Sequence, residues 1–131
     1  MTAEPRLTLT ATVLDSPDAA DLARFYQRLL GWQARTWETD WVALAEPGGG
    51  AALSFQTEPL YRRPVWPAAG GDGRQQMMSH LDIEVDDLTA GVRHALDAGA
   101  ALADHQPQDD VRVMLDPAGH PFCLWIRTEE G

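Results

Sequence analysis

The chain of 131 residues contains no lysine and a single cysteine, Cys123. Without lysine there is no side-chain amine to form a Schiff base with a carbonyl substrate, so that form of covalent catalysis is excluded. One cysteine excludes an internal disulfide framework and a zinc site made of four cysteines. The sequence also lacks an apolar run near the ~20 residues of a membrane span, and it does not begin with a signal-peptide pattern. We therefore expect a cytoplasmic protein.

Positive charge is scarce. Arginine supplies all ten basic residues, against twenty acidic ones, so the formal net charge is −10. An acidic surface repels phosphate backbones and anionic lipid, and we expect neither nucleic acid nor membranes as partners. Hydrophobic residues make up 44% of the chain, which is enough to bury the core of one domain of this length.

The first half of the chain predicts one helix among short strands. Residues 6–14 are rich in Thr, Val and Leu, as strands are. Asp18 is suited to cap a helix, and apolar residues then recur at helical spacing up to Gly31, which predicts a helix over 19–30. Further strands are predicted over 33–37, 41–45 and 51–56, with a hairpin turn in the glycine-rich stretch 47–50.

The second half repeats this order after a connector over 57–77 that has three prolines, three glycines and no periodicity. It predicts a helix over 87–98 and strands over 78–85, 100–103, 111–115 and 121–127. Such an internal β-α-β-β-β repeat indicates two half-size units that bury their apolar faces against each other. The expected fold is α+β, with the sheets curling into one open barrel, helices outside, and a concave face that suits a small molecule.

Four stretches carry a family resemblance: LARFYQRLLGW up to Trp32, LSFQTEPLYRRPVWP up to Pro67, HLDIEVDDL from His80, and LDPAGHPFCL from Leu115. They resemble the vicinal oxygen chelate (VOC) superfamily, which includes glyoxalase I, bleomycin-resistance proteins, extradiol dioxygenases and fosfomycin-resistance proteins. Within it, the chain is similar to small glyoxalase-like proteins common in actinobacteria. The resemblance implies a single domain of two βαβββ modules in an open curved-sheet half-barrel. Module 1 is expected over about 6–57, the connector over 57–77, and module 2 over about 78–128.

The resemblance also implies four metal-ligand positions, two in each module. They fall at Ala11, which has no donor atom; at His80; at Ser54 or Gln56; and at Cys123, where active metalloenzymes of the family usually have glutamate. We therefore expect no cofactor. The alternative is a divalent metal held by His80 and Gln56.

His80, Asp82 and Glu84 alternate along one predicted strand, so their side chains share a face about 6.6 Å apart. Here His80 and Asp82 could share an ion with His105 or His120, or could act as general acid and base without one. The structural alternative is that His80 hydrogen-bonds within the sheet. We interpret Cys123 as a small buried hydrophobe and His120 as part of a turn.

Residues two apart in a strand share a face, which predicts one ligand pocket. Its expected members are Ala11, Val13, Ser54, Gln56, His80, Asp82, Cys123 and Trp125, with Trp66 at the rim and Leu14, Leu81 and Ile83 under the helices. The two prolines that flank Trp66 restrict the backbone there and favour stacking on a flat ligand. We expect a homodimer that binds a small aromatic or apolar molecule, like the bleomycin-resistance proteins. The alternative is an enzyme (lyase, isomerase or dioxygenase) that uses His80 with or without a metal.

Overall fold

The computed structural model describes residues 5–67 and 73–127. Module 1 consists of β1 (Ala11–Ser16), α1 (Ala19–Leu30), β2 (Gln33–Trp37), β3 (Trp41–Ala45) and β4 (Ala52–Thr57). Module 2 consists of β5 (Leu81–Glu84), α2 (Leu88–Ala98), β6 (Ala101–Leu102), β7 (Val111–Leu115) and β8 (Pro121–Trp125). The predicted β-α-β-β-β repeat is confirmed.

Helix α1 has the predicted bounds, and α2 begins one residue later than predicted, at Leu88, because Asp87 is its N-cap. The Asp18 carboxylate accepts a hydrogen bond from the Asp21 amide at 3.2 Å, and Asp87 does the same for α2. Gly31 ends α1 in the left-handed conformation, with φ of 74°. A side chain at that position would be strained, so glycine sets the length of the helix.

Each module forms an open four-stranded sheet, in the order β1-β4-β3-β2 and β5-β8-β7-β6. The first strand of each module runs parallel to its last strand, with Leu14 beside Phe55 in one sheet and Ile83 beside Leu124 in the other. The sheets are not closed into a barrel. This arrangement confirms the α+β expectation of two paired modules.

Several predicted strands have different bounds in the structure. The strand predicted over 6–14 begins only at Ala11 and runs on to Ser16, and the strand predicted over 78–85 begins only at Leu81. A strand can extend only as far as its neighbour offers hydrogen-bonding partners. The neighbour of β1 is β4, which starts opposite Ala11, and the neighbour of β5 is β8, which starts at Pro121, a residue with no N–H to donate. His80 therefore lies one residue before β5. The strand predicted over 121–127 likewise ends at Trp125, and that over 100–103 shrinks to two residues.

One core joins the two modules. Tyr26 of α1 stacks on Phe55 of the first sheet at a ring-centroid distance of 5.5 Å. The same ring meets Phe122 of the second sheet edge-on at 6.3 Å, and Phe25 lies 6.0 Å from Phe122. All four rings are fully buried. Neither sheet could bury these rings alone, so the modules fold as one unit.

Alternation along the strands fixes which side chains face the core. Leu14, Leu81 and Ile83 pack against it, as predicted. Their neighbours in the same strands therefore lie on the opposite face of each sheet, the face away from the helices. A one-residue slip would have reversed this pattern. Among the described residues, no helix is long and apolar enough to cross a membrane.

Candidate functional site

The connector is held against the turn between β7 and β8. The Tyr61 hydroxyl donates to the Ala118 carbonyl at 2.9 Å, and the Arg63 guanidinium reaches the Pro117 carbonyl at 3.4 Å. Arg63 also lies over Gly119, where a Cβ atom would come within 2.5 Å of its side chain. The described parts of the connector, up to residue 67 and from 73, contain no helix. These contacts place Tyr61 on the wall of a cavity.

This cavity has a volume of about 880 Å³ and lies between β1, β4, the connector and the start of β8. Its apolar wall includes Val13, Trp41, Leu60, Met77 and Met78, and its polar wall includes Gln56, Tyr61, Arg62 and His120. Ligand sites in proteins commonly measure about 300–1,000 Å³ and combine an apolar lining with a few polar groups. The cavity is thus large enough for a polycyclic organic molecule.

A second group of polar residues lies on the module 2 sheet, on the face that points away from the helices. Asp82 and Cys123 are register partners in the parallel pair β5–β8, and His80 directly precedes β5. The His80 Nε2 atom lies 3.0 Å from the Asp82 Oδ1 atom. The donor atoms of all three residues lie within 4.8 Å of one another. We refer to His80, Asp82 and Cys123 as the strand triad.

Trp66 contacts one member of the strand triad, His80. Its ring stacks on the His80 imidazole at 5.2 Å with an interplanar angle of 20°. The His105 ring lies edge-on to Trp66 at 5.2 Å. Trp66 is half-buried, and its stacking places this part of the connector beside His80.

The predicted site residues thus fall into two groups. Val13 and Gln56 line the large cavity, and Gln56 also donates to the Asp15 carboxylate at 3.4 Å. The module 2 members and Trp66 are associated with the strand triad instead, and Arg127 lies over the Trp125 ring at 5.4 Å. Ala11 is half-buried and Ser54 almost wholly buried, and neither lines the cavity. The structure does not bring all nine residues into one cavity.

A metal site of the family type does not fit these residues. The module 1 positions offer no donor at Ala11, and Gln56 lies with the other group. The strand triad could itself hold one ion, with imidazole, carboxylate and thiolate ligands. However, a thiol must lose its proton to bind metal, and burial, together with the Asp82 charge, raises the pKa of Cys123. Without a metal ion, the surroundings of the strand triad therefore favour the neutral thiol form of Cys123.

A third group surrounds His120, which the sequence suggests only as part of a turn or as a third metal ligand. Asp116 is buried, and its carboxylate accepts from the Tyr26 hydroxyl at 2.7 Å. The His120 Nδ1 atom lies 2.9 and 3.1 Å from the two Asp116 oxygens. On the other side of the ring, Nε2 lies 3.4 Å from the Tyr61 oxygen. The spacing Asp-x-x-x-His was the available signal, but only the fold shows that both tyrosines approach it.

Electrostatics keep the two tyrosines of this group in the phenol form. Burial, followed by the Asp116 charge, raises the pKa of Tyr61 to about 12. The same causes raise the pKa of Tyr26 well above its ordinary value. Both hydroxyls therefore remain hydrogen-bond donors at neutral pH.

Comparison with known proteins agrees with this architecture. Residues 11–125 match the family described as the glyoxalase-like domain. The chain belongs to this family. A curated relative, the anthracycline biosynthesis protein DnrV of Streptomyces peucetius, is 28% identical over 130 residues. The match covers 86% of this chain but only 44% of that protein, so the chain spans less than half of its relative.

Solved structures show the same fold. A glyoxalase/bleomycin resistance protein/dioxygenase family enzyme from Burkholderia phytofirmans PsJN is similar with a TM-score of 0.66 at 18% identity. The similarity covers 92% of this chain and 98% of that one. A glyoxalase-related enzyme from Fulvimarina pelagi gives 0.65 at 18% identity, with 92% and 88% covered. At such identities the likeness defines the fold and not the reaction.

Proposed function

We propose that the protein binds a flat, largely apolar organic molecule in the large cavity. The cavity itself carries this proposal: about 880 Å³, with an apolar wall and polar groups at separate points. Trp41 and Tyr61 both line the cavity and present aromatic rings for stacking. Gln56, Arg62 and His120 supply hydrogen bonds that would orient the oxygen atoms of such a ligand.

The relative from Streptomyces peucetius narrows the choice of ligand. Its name assigns it to anthracycline biosynthesis. Anthracyclines are planar fused-ring molecules that carry several carbonyl and hydroxyl oxygens, which matches the mixed lining of the cavity. We therefore take polycyclic aromatic ketones and quinones as the ligand class.

Calorimetric titration with the anthracycline doxorubicin tests this proposal. Val13→Arg would place a long charged side chain in the cavity, and we expect it to weaken binding at least about tenfold, or about 1.4 kcal/mol. Val13 is 44% exposed, so the change costs little stability. Thr12→Arg is the matched control, since Thr12 neighbours Val13 in β1 but does not line the cavity. Equal binding by the Val13→Arg protein would contradict the proposal, as would no binding by the unchanged protein.

Trp41 gives a second measurement at the site. A bound polycyclic ligand should quench its fluorescence, and Trp41→Phe should remove that part of the signal. Quenching that persists undiminished in Trp41→Phe would place the ligand elsewhere, because the other four tryptophans do not line the cavity.

We further propose that the protein is a homodimer. Large apolar side chains remain exposed near the cavity, with Leu60 83% and Met78 85% exposed. Leu7 and Leu9, which precede β1, are 87% and 78% exposed. A second copy would cover such a patch, and twofold dimers are the commonest assembly. Sedimentation equilibrium should give twice 14.4 kDa at micromolar concentration. A species of 14.4 kDa would contradict the dimer.

The strand triad supports a second candidate, an enzyme that uses His80 and Asp82 with or without a divalent metal. The observation that favours it is the convergence of three donor atoms within 4.8 Å. Metal analysis and titration with nickel or manganese would separate the candidates. Stoichiometric metal that is lost in His80→Ala but kept in His94→Ala would favour the enzyme over metal-independent binding.

A further inference from the structure

His120 in the wall of the cavity is paired with the buried Asp116 behind it, and the binding proposal uses His120 only as a hydrogen-bonding group. The Asp116 carboxylate accepts from the amides of Ala118 and His120 at 3.0 and 2.9 Å, and from the Tyr26 hydroxyl at 2.7 Å. It also faces the His120 Nδ1 atom at 2.9 Å. A buried carboxylate needs such donors. It orients the imidazole so that Nδ1 donates and Nε2 keeps its lone pair.

The Nε2 lone pair is left available at the cavity wall. The Tyr61 oxygen lies 3.4 Å from it. Tyr61 has one hydroxyl hydrogen, which it donates to the Ala118 carbonyl at 2.9 Å. His120 Nε2 therefore receives no hydrogen from Tyr61 in this arrangement. Both side chains line the cavity, so a ligand there would meet a base and a phenol side by side.

The turn itself does not require this histidine, because module 1 contains the same turn without it. Between β3 and β4, Glu46 accepts from the Gly50 amide at 2.6 Å, as Asp116 does from His120. In both turns the third residue after the acid is a glycine with positive φ, 86° in module 1 and 92° in module 2. The position of His120 is held by Gly50 in module 1. The imidazole is thus an addition to the turn and not a part of its closure.

We propose that His120 is a general base for a carbonyl ligand in the cavity, with Asp116 as its positioning residue and Tyr61 as a hydrogen-bond donor. This inference rests on the proposed binding function. The reaction class is proton abstraction next to a carbonyl group, that is, keto–enol exchange or isomerisation.

The proton transfer balances without a further reactant. The C–H bond next to the carbonyl breaks and its proton moves to His120 Nε2. The electron pair of that bond forms the carbon–carbon double bond of the enolate, and the carbonyl π electrons move to oxygen. Tyr61 turns its hydroxyl from the Ala118 carbonyl to that oxygen and stabilises the charge. Return of the proton to the same carbon gives exchange, and return to another carbon gives an isomer.

Hydrogen–deuterium exchange of 2-tetralone in D₂O, followed by proton NMR, tests the proposal. This bicyclic aromatic ketone has acidic C–H bonds and belongs to the proposed ligand class. We expect exchange at least about 100-fold faster than with free imidazole at the same concentration, which is the lower end of general-base catalysis. His120→Gln should abolish the acceleration. His94→Gln, at an exposed position on α2, should leave it unchanged.

Two further variants separate chemistry from binding and from folding. Asp116→Asn should lower the exchange rate while the dissociation constant of 2-tetralone, measured by calorimetry, stays the same. Tyr61→Phe removes one hydroxyl from a half-buried side chain, so it keeps the test valid if changes at Asp116 or His120 prevent folding. It should lower the exchange rate about tenfold or more.

The outcomes are distinct. Binding of 2-tetralone without acceleration, or equal acceleration by the His120→Gln protein, would overturn the proton-transfer proposal and leave the binding proposal standing. If 2-tetralone neither binds nor exchanges faster, this proposal is overturned. The doxorubicin titration would then decide whether the binding proposal stands.

Discussion

The two modules share one backbone plan but carry different chemistry at equivalent positions. Aligning the parallel pairs β1–β4 and β5–β8 matches Ala11 with His80, Val13 with Asp82, and Ser54 with Cys123 on the faces opposite the helices. The turns match as well, with Gly50 in module 1 and His120 in module 2. In these four pairs the ionisable or metal-binding side chain belongs to module 2, whereas further along the strands Asp15 matches Glu84 and Gln56 matches Trp125.

This difference shows which positions the fold constrains. Leu14 and Phe55 in module 1, and Ile83 and Leu124 in module 2, are apolar because all four pack against the shared core. The opposite faces bear no such requirement, and there the modules diverge. Module 1 supplies Val13 and Trp41 of the apolar wall of the cavity, whereas module 2 supplies His120.

The largest expected effect comes from breaking the core that joins the modules. Phe122→Ala removes the module 2 ring that meets Phe25 and Tyr26, and should destabilise the protein by about 3–5 kcal/mol. Hydrogen exchange would show whether the modules are one unit: amides of both β4 and β8 should lose protection together. Loss confined to module 2 would mean that module 1 is stable by itself.

A smaller effect should follow from removing the hydrogen bond between the modules. Tyr26→Phe leaves the buried Asp116 carboxylate with one donor fewer, at a cost of about 1–3 kcal/mol. Tyr61→Phe is the matched control, since its hydroxyl is half-buried and bonds a neutral carbonyl, and should cost less. Urea denaturation of both proteins measures this difference. An equal loss of unfolding free energy in both variants would show that the bond from Tyr26 to Asp116 stabilises the fold no more than the bond from Tyr61 to a neutral carbonyl.

Alkaline pH should weaken the fold through the same two tyrosines. The folded pKa of Tyr61 is about 12 and that of Tyr26 is also raised, against an ordinary value of 10.0. Below pH 10 both states keep these protons, and stability is unaffected. Between pH 10 and 12 the unfolded chain loses protons that the folded chain retains, so stability falls as pH rises.

Melting temperatures between pH 8 and 11.5 test this expectation. For Tyr61, which is half exposed, solvent screening reduces the effect to about 1 kcal/mol. The decline above pH 10 should be shallower in Tyr61→Phe. An identical decline in the variant would contradict the assignment to Tyr61.

The smallest effect concerns the thiol of the strand triad. Burial and the Asp82 charge raise the pKa of Cys123, so at pH 8 its alkylation by iodoacetamide should be slower than that of free cysteine. Asp82→Asn removes that charge and should increase the rate roughly twofold or more. Glu84→Gln, next on the same strand face, is the control. A rate unaffected by Asp82→Asn would show that burial alone protects the thiol.

Much of this fold follows from local sequence signals. The caps Asp18 and Gly31 define α1 to the residue, because they act within one helical turn. Strand ends were less predictable, since they depend on a partner far away in the chain. β1 starts at Ala11 only because β4 reaches no further.

The site was predictable only in part. Alternation in β5 and β8 correctly predicted that Asp82 and Cys123 share a face, and the chain order put His80 beside them. The path of the connector could not be predicted from local patterns. That path places Trp66 on His80 and Tyr61 beside His120.

The hydrogen bond from Tyr26 to Asp116 joins residues 90 positions apart. The length-dependent part of the entropy cost of closing such a loop is about 4 kcal/mol. The many contacts of the finished core must offset that cost. The hairpins β3–β4 and β7–β8 close far shorter loops. We therefore expect the hairpins to form early in folding and this bond to form late, so that Tyr26→Phe speeds unfolding more than it slows folding.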